Sequence, residues 1–314
     1  MEQRIWTYEG QELIAHRRKS DGAEQALIRH LQETSQLARG FAAKIGLSEI
    51  GEILGLLHDF GKASDIYQGY LRSKEGLINP DQDGYVDAHR GEVDHSTAGA
   101  QLIYKKLSYS DNAKLILMQV LSLVLASHHS GLIDALTPDG RNNFMRRITK
   151  PEEDTHFIEA KAKLVKIERE LDDILILAPE KVLLEKMSKM RESEAESQAT
   201  LSFKHGLLVR FLLSCLLDAD RLSTSDFETP ENKIVRGYGR YLPWTILIER
   251  IEKKFSEFDL KTASMDKNSQ AYKVNQIRAQ VAQACCDFAS EPKGIYRLTV
   301  PTAGGKTLAS LRFA

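Results

Sequence analysis

An adjacent imidazole and carboxylate, His58 and Asp59, follow the nearly continuous apolar run 53–57. Such a run predicts a buried helix, so both side chains should enter the protein interior. A buried carboxylate without a partner is costly or takes up a proton, whereas imidazole and carboxylate together are good ligands for a divalent metal. We therefore expect a metal site at this pair. Gly61 predicts that the helix ends in a left-handed C-cap, and Lys62 follows at once.

Further candidate ligands lie at the ends or on the inner faces of apolar helical patterns elsewhere. They are His30, His95, the pair His128 and His129, and one of Asp218 or Asp220, which the pattern alone does not separate. A lone His30 is more often a core histidine than a ligand, and one imidazole of the pair 128–129 could simply cap its helix. One shared polar centre explains the whole set better than separate structural roles do.

All of these ligands offer nitrogen or oxygen and none offers sulfur, which argues against a structural zinc site. The set predicts one or two divalent ions of octahedral preference, namely Mn²⁺, Fe²⁺, Ni²⁺ or Co²⁺, with Mg²⁺ as a further option. Two ions about 3.5–4 Å apart can stabilise both the attacking and the leaving oxygen of a phosphodiester displacement. Asp59, beside His58, is the natural bridge between them. Lys62 could neutralise a phosphate oxygen; without the metal site it would be interpreted as a solvated lysine.

Helical periodicity dominates residues 1–227 and predicts a mainly α fold. This helical domain would hold the metal centre. Predicted helices cover 24–45, 48–58, 95–106, 113–129, 152–191 (a peripheral pair) and 201–222, with a long polar loop over 72–94. The helix at 113–129 is almost entirely apolar, so we expect it to be buried on every side. Three parts follow along the chain: the helical domain at 1–227, a linker with helices at 228–290, and a different domain that begins at 291–314.

A phosphate-binding loop marks that last part. Residues 295–300 predict a strand, which runs into Pro-Thr-Ala-Gly-Gly-Lys-Thr at 301–307. In such loops glycine amides cradle phosphates, lysine reaches the β- and γ-oxygens, and threonine holds Mg²⁺. Val300 and Ala303 stand where glycine is usual. The nucleotide-binding residues would be Gly304, Gly305, Lys306 and Thr307.

The strand and loop together predict the start of a truncated RecA-like α/β domain. The seven residues 308–314 cannot hold a Walker B acid, a second RecA-like lobe or an arginine finger. We therefore expect no ATPase or helicase activity from this chain alone, and ATP with Mg²⁺ would bind only to a longer protein.

Composition narrows the class of protein. The 314 residues are 42% hydrophobic and 28% charged, with a net charge of −1, which excludes a uniformly basic nucleic-acid coat. The three cysteines form neither a disulfide framework nor a CxxC zinc pattern. The N-terminus lacks a signal-peptide pattern, and the longest apolar stretch, 115–126, is shorter than the roughly 20 residues that a membrane span needs. We expect a cytoplasmic protein that has no membrane partner.

The pair His58-Asp59 followed by Gly61-Lys62, with a histidine upstream and a late aspartate, resembles the HD phosphohydrolase superfamily. His95, the tandem histidines at 128–129 and the ending Asp-Ala-Asp-Arg-Leu resemble one branch of it. That branch is the HD nuclease domain of the CRISPR-associated nuclease–helicase of type I CRISPR systems. The resemblance covers roughly residues 20–225. The P-loop has the Pro-Thr form found in superfamily 2 helicases, which supports the same resemblance. It implies an all-helical domain that hydrolyses phosphoester bonds with one or two metals.

Carried over to this sequence, the resemblance distributes the ligands between two ions. The first ion would be held by His30, His58, Asp59 and Asp220. The second would be held by Asp59, His95, His128 and His129. In the family the late aspartate precedes Trp or Arg, which favours Asp220, followed by Arg221, over Asp218. Lys62 matches the family's lysine beside the His-Asp pair, so Asp59 and Lys62 are the expected catalytic residues.

The leading hypothesis is a metal-dependent endo- or exonuclease that cleaves single-stranded DNA in antiviral defence. The resemblance implies recruitment by a guide-RNA surveillance complex. A recessed metal site suits single-stranded DNA, and the basic segments 141–150 and 233–240 are candidate entrances. Two alternatives stay open: an HD-superfamily phosphohydrolase acting on dNTPs or cyclic nucleotides, and a non-enzymatic recruitment module with a vestigial centre.

Overall fold

The structure, a computed structural model, describes residues 7–8, 11–89, 91–108, 110–236, 242–292, 294 and 296–313. The chain forms two compact units, Met1–Val235 and Arg236–Ala314. Helices make up most of the described residues in both units, which confirms the mainly α class predicted from the sequence.

The first unit begins with two short antiparallel pairs and continues as helices. β1 (Thr7–Tyr8) pairs with β2 (Gln11–Glu12), and β3 (Ile14–Arg17) pairs with β4 (Glu24–Ala26). The helices that follow are α1 (Leu27–Ala43), α2 (Ser48–Leu57), α3 (Asp65–Lys74), α4 (Thr97–Leu107), α5 (Asn112–Ser127), α6 (Asn143–Ile148), α7 (Glu152–Thr155), α8 (Phe157–Lys163), α9 (Val165–Ile176), α10 (Pro179–Lys189), α11 (Gln198–Glu228) and α12 (Pro230–Arg236). A 3₁₀ turn, Phe60–Ala63, follows α2.

α2 is the central helix of this unit, because it packs along α1 and also against α5, α9 and α11. Its residues from Ile50 to Leu57 are buried except for Glu52, and each fully buried leucine or isoleucine stabilises the fold by about 1.5–3 kcal/mol. Gly55 permits the close packing, since a Cβ there would lie 2.5 Å from the Cα of Ser35 in α1. This approach sets the inward face of α1 beside the C-terminal end of α2.

α5 is the apolar helix predicted at 113–129. Its N-cap, Asp111, accepts a hydrogen bond from the amide of Lys114 at 3.0 Å, as side-chain N-caps do. The second half of the helix is buried almost throughout, whereas Gln119 and the first turn reach solvent. The expectation of burial on every side therefore holds for the end of the helix, which delivers the tandem histidines.

α11 is, among the described residues, the one helix long and apolar enough to cross a membrane by length and composition. Core helices of water-soluble folds pass the same test. Here α11 packs against α1, α2 and α5, and buries Leu208, Leu212 and Leu216 in the hydrophobic core. Its C-terminal half brings the candidate aspartates to the ends of α1 and α2.

The second unit contains α13 (Trp244–Ala263), α14 (Gln270–Phe288) and α15 (Lys306–Phe313). The strand predicted at 295–300 is absent over 296–300, which has irregular backbone; Ile295 lies outside the described residues. A strand needs a neighbour for its backbone hydrogen bonds, and no described residue pairs with this segment. The RecA-like α/β domain and the boundaries near 227 and 290 stay predictions.

Candidate metal centre

The carboxylate of Asp59 lies between two groups of histidines. Its Oδ2 atom is 3.5 Å from Nε2 of His30 and 3.3 Å from Nε2 of His58. Its Oδ1 atom faces three other rings, whose Nε2 atoms lie 3.8 Å away in His95, 3.6 Å in His128 and 3.8 Å in His129. The side chain is only 2% exposed, and its two oxygens face different groups of histidines.

Asp220 completes the group on the Oδ2 side. Its Oδ1 atom is 3.5 Å from Nε2 of His30 and 3.6 Å from Nε2 of His58. Asp218, the other aspartate that the sequence pattern left open, is exposed on the opposite side of α11 and contacts none of these histidines. The structure therefore brings Asp220, and not Asp218, to the cluster.

Backbone carbonyls orient three of the five histidines. The Nδ1 atoms of His58 and His128 donate to the carbonyls three residues earlier, Gly55 at 2.8 Å and Leu125 at 2.7 Å. Nδ1 of His95 donates to the carbonyl of Val93 at 3.2 Å. A carbonyl can only accept, so Nδ1 carries the proton, and in the neutral ring Nε2 presents its lone pair to the centre. Ligating histidines in metalloproteins are held in the same way.

His30 is oriented by a hydroxyl instead. Its Nδ1 atom lies 3.3 Å from Oγ of Ser223, one helical turn after Asp220 on α11. Its Nε2 atom lies 3.2 Å from Nε2 of His58, and a second nitrogen–nitrogen contact, of 2.6 Å, joins Nε2 of His95 to Nε2 of His129. Two ring nitrogens this close need either a proton or a shared cation between them.

The donor set fits divalent metal ions. Oδ1 of Asp59 and Nε2 of His128 are buried and have no hydrogen-bond partner among the described residues. A buried polar atom without a partner normally costs free energy, which a bound cation would remove. Imidazole nitrogens and carboxylate oxygens without sulfur suit Mn²⁺, Fe²⁺, Co²⁺ and Ni²⁺. Two subsets lie close enough to hold an ion: His30, His58, Asp59 and Asp220, and also Asp59, His128 and His129.

His58, on one side of Asp59, differs in protonation from His95 and His129 on the other. Burial alone would lower the pKa of His58, but the carboxylates of Asp59 and Asp220 raise it to about 10. On the other side, burial lowers the pKa of His95 to about 4 and that of His129 to about 3. Burial alone would raise the pKa of Asp59, but Lys62 and His58 hold it well below its usual range. Near neutral pH the cluster therefore holds an ionised Asp59 between a protonated His58 and the neutral rings of His95 and His129.

Lys62 is buried within the cluster, so its interpretation as a solvated lysine is wrong. Its Nζ atom lies 2.8 Å from Oδ2 of Asp59 and donates to the carbonyl of Ala15 at 3.3 Å. The chain stays inside after α2 because Phe60–Ala63 continues as a 3₁₀ turn.

Gly61 is required for its size, and the left-handed C-cap predicted there is wrong, because its φ is not positive. Its amide donates to the carbonyl of His95 at 3.1 Å, and a Cβ at this position would lie only 2.5 Å from that oxygen. Close approach of two backbones, rather than an unusual φ, explains the glycine.

Three side chains that contact the cluster were not among the predicted site residues. His16 on β3 packs edge-on against His30 at 4.8 Å between ring centroids, and burial together with the nearby Lys62 lowers its pKa to about 2. Tyr67 packs against His95 at 4.6 Å between ring centroids. Ser223 is the third. A lone polar residue in a short strand or helix carries no periodic signal, so only the three-dimensional packing reveals these residues.

The predicted nucleotide-binding residues lie in the second unit, apart from this cluster in the chain. Lys306 begins α15 and donates from Nζ to the carbonyl of Val300 at 2.9 Å. Ala303 has a φ of 65° and Gly305 one of 81°, and the Arg278 side chain donates to the Ala303 carbonyl at 2.9 Å. A cavity of about 480 Å³ adjoins Gly304, Gly305, Lys306 and Thr307. Nucleotide binding by these residues stays a prediction.

The family profile described as Cas3, HD domain matches residues 10–220. No curated protein matches the chain. The profile covers well over half of the sequence and ends at Asp220, so the chain belongs to the Cas3 HD-domain family. The resemblance inferred from the His-Asp pair is confirmed. Membership makes the chain a metal-dependent HD-type nuclease or phosphohydrolase with a CRISPR-associated role involving nucleic acid.

Proposed function

We propose that this Cas3 HD-family chain is a two-metal nuclease that cleaves single-stranded DNA during type I CRISPR interference. The observation that supports it is the position of Asp59, whose two oxygens face two separate groups of histidines. A single ion would need one such group. A carboxylate shared between two groups is the bridge expected of a paired-ion phosphodiesterase.

The proposed first ion would be held by His30, His58, Asp59 and Asp220. The proposed second ion would be held by Asp59, His95, His128 and His129. When bound, such ions supply hydroxide near neutral pH and stabilise the leaving oxygen. Manganese, iron, nickel or cobalt suits these donors, and magnesium is a weaker candidate because it prefers all-oxygen sites.

The protein's own residues orient and enclose the centre. Asp59 lies between the two groups and contacts both. Lys62 keeps that carboxylate ionised. It would also place a positive charge beside the expected phosphate. The ligands reach solvent unequally: the His129 side chain is 45% exposed and that of Asp220 is 20%, whereas His30 and His58 are fully buried. The scissile phosphate would approach from the exposed ligands.

A recessed centre favours single-stranded DNA, because a flexible strand can bend into a site that a duplex cannot enter. The exposed Arg141 and Arg146, in the segment 141–150, are candidate phosphate contacts. Of the second basic segment, 233–240, Arg240 lies outside the described residues. We further propose that a guide-RNA surveillance complex recruits the protein in the cytoplasm, and that a RecA-like helicase domain follows residue 290.

The test is degradation of circular single-stranded DNA by the purified chain with Mn²⁺, Ni²⁺ or Co²⁺. We expect cleavage by the unaltered chain and by the control Asp218→Ala, and none by Asp59→Ala or Asp59→Asn at equal metal concentration. Cleavage that survives in both Asp59 variants would contradict the proposal. Faster turnover of a dNTP or a cyclic dinucleotide than of DNA would favour the small-nucleotide phosphohydrolase instead.

A further inference from the structure

His95 is the candidate ligand whose position depends most on a loop. It precedes α4 and belongs to no helix, whereas His30 lies within α1 and His58 and His128 directly follow α2 and α5. Its ring is held by the carbonyl of Val93 at 3.2 Å and by contact with Tyr67. Its own carbonyl accepts the amide of Gly61 at 3.1 Å. Whatever fixes the loop at 93–97 therefore fixes His95.

Asp94 anchors this loop with both carboxylate oxygens. Oδ1 accepts hydrogen bonds from the amides of Ser96 at 3.1 Å and Thr97 at 3.0 Å. Oδ2 accepts from the Thr97 hydroxyl at 2.7 Å and from Nζ of Lys150 at 2.6 Å. The carboxylate thus binds two backbone amides at the start of α4 and also pairs with Lys150, a residue distant in the sequence.

Lys150 belongs to the basic segment 141–150, and that segment is joined to α4 at further points. Arg147 donates to the Ser96 hydroxyl at 2.7 Å. The side-chain amide of Gln101 donates to the carbonyls of Ile148 and Lys150, each at 2.9 Å. Two of the basic side chains in the segment are therefore bound to the loop that carries His95 rather than free in solvent.

We propose that Asp94 is a positioning residue: it fixes the loop that presents His95 and thereby sets the affinity of the second metal site. The inference deepens the proposed two-metal centre and rests on it. Asp94 does not reach the cluster itself, so its effect passes through the backbone of the next residue. Groups that orient a metal ligand from outside typically change metal affinity about 10–100-fold when they are removed.

The experiment is titration of the metal-free chain with Mn²⁺ by isothermal calorimetry, with folding checked by circular dichroism. The unaltered chain should show two binding events. In Asp94→Ala we expect binding at the second metal site, which includes His95, to weaken about 10–100-fold. Binding at the first site should keep its affinity. Asp94→Asn keeps an oxygen for the two amides and should recover part of that loss.

Asp111→Ala is the matched control, because its carboxylate also accepts a backbone amide at the start of a helix, α5, and lies outside the cluster. Both of its binding events should keep their affinity. If Asp94→Ala does not fold, Lys150→Met removes only the ion pair and should weaken the second event about tenfold, at the lower end of the range for such changes.

An unchanged second event in a folded Asp94→Ala, or in Lys150→Met when Asp94→Ala does not fold, overturns the inference, as does an equal loss in Asp111→Ala. The result is separable from the proposed function. A chain that binds two Mn²⁺ ions and loses one in Asp94→Ala, yet cuts no DNA, contradicts the nuclease and leaves the role of Asp94 standing. A chain that cuts DNA and binds two ions equally well in every variant supports the nuclease and contradicts the role of Asp94.

Discussion

The Nζ atom of Lys62 lies 2.8 Å from Oδ2 of Asp59, and both side chains are buried. The lysine is thus an internal partner of the carboxylate that faces both groups of histidines. Burial alone would lower the pKa of Lys62, but Asp59 raises it, so the lysine stays charged. In the metal-free protein, Lys62 balances the negative charge of Asp59, which bound metal would also balance.

Lys62→Met should therefore separate stability from metal binding. Breaking a buried ion pair typically costs about 3–5 kcal/mol, so the free energy of unfolding of the metal-free protein should fall. Metal affinity should rise, because a like charge next to the site is gone, while DNA cleavage should fall. Thermal unfolding with and without Mn²⁺ checks this: Mn²⁺ should raise the Tm of the variant more than that of the unaltered chain. An equal increase in Tm in both proteins would refute it.

The pair Asp218 and Asp220 offers a second test within one turn of α11. Asp220→Ala should abolish the binding event on the Oδ2 side of Asp59, because its carboxylate lies beside His30 and His58. Asp218→Ala, a change of the same size at an exposed position, should leave both binding events and the stability unchanged. Metal content per chain, measured by elemental analysis after dialysis, distinguishes them. Equal loss of metal in the two variants would show that Asp220 is not a specific ligand.

Gly61→Ala should distort the centre without replacing any candidate ligand. The added Cβ would lie 2.5 Å from the His95 carbonyl oxygen, and overpacking of this kind typically costs about 1–3 kcal/mol. Because the backbone of His95 must move, metal affinity should fall as well. Gly40→Ala in α1 is the control: nothing lies within 4 Å of a Cβ there, and helix propensity should stabilise the fold by about 0.5–1 kcal/mol. Chemical unfolding and Mn²⁺ titration of both variants test the contrast, which fails if Gly61→Ala behaves like Gly40→Ala.

Metal binding should release a proton from His58. The pKa of His58 is raised to about 10, so the ring is protonated at pH 7 and must lose its proton to bind an ion. The affinity at the His58 side should therefore rise with pH, by up to about tenfold per pH unit between pH 6 and 9. His95 and His129, with pKa values of about 4 and about 3, are already neutral and should contribute no such rise. Calorimetry in two buffers of different ionisation enthalpy counts the released protons; an event on the His58 side that releases no proton near pH 7 would contradict the assignment.

Most of the residues that come together in the cluster could be predicted from the order of residue types along the chain. Polar residues at the ends of apolar helices have few stable arrangements, which is why the pattern alone selects His58, Asp59 and the tandem His128 and His129. The choice between Asp218 and Asp220 could not be made by pattern. Two residues apart on a helix point about 200° apart, and only the rotation of α11 against α1 decides which one faces His30.

Other features depended on contacts between distant segments. Lys62 was open to interpretation as a solvated residue because Gly61 resembled the end of a helix. Instead, the close approach of the His95 backbone explains the glycine, and Lys62 lies in the buried turn Phe60–Ala63. Residues 296–300 have strand-like side chains but no neighbouring strand among the described residues to pair with. Side-chain preference is therefore not enough to form a strand there.

The most direct test of the bridging role of Asp59 is anomalous scattering from crystals grown with Mn²⁺, combined with metal content per chain. We predict two Mn²⁺ per chain and two anomalous peaks about 3.5–4 Å apart, one beside Oδ2 of Asp59 near His30, His58 and Asp220, the other beside Oδ1 near His95, His128 and His129. A single peak in a chain that cleaves single-stranded DNA under the same conditions, or two peaks that do not share Asp59, would contradict the account.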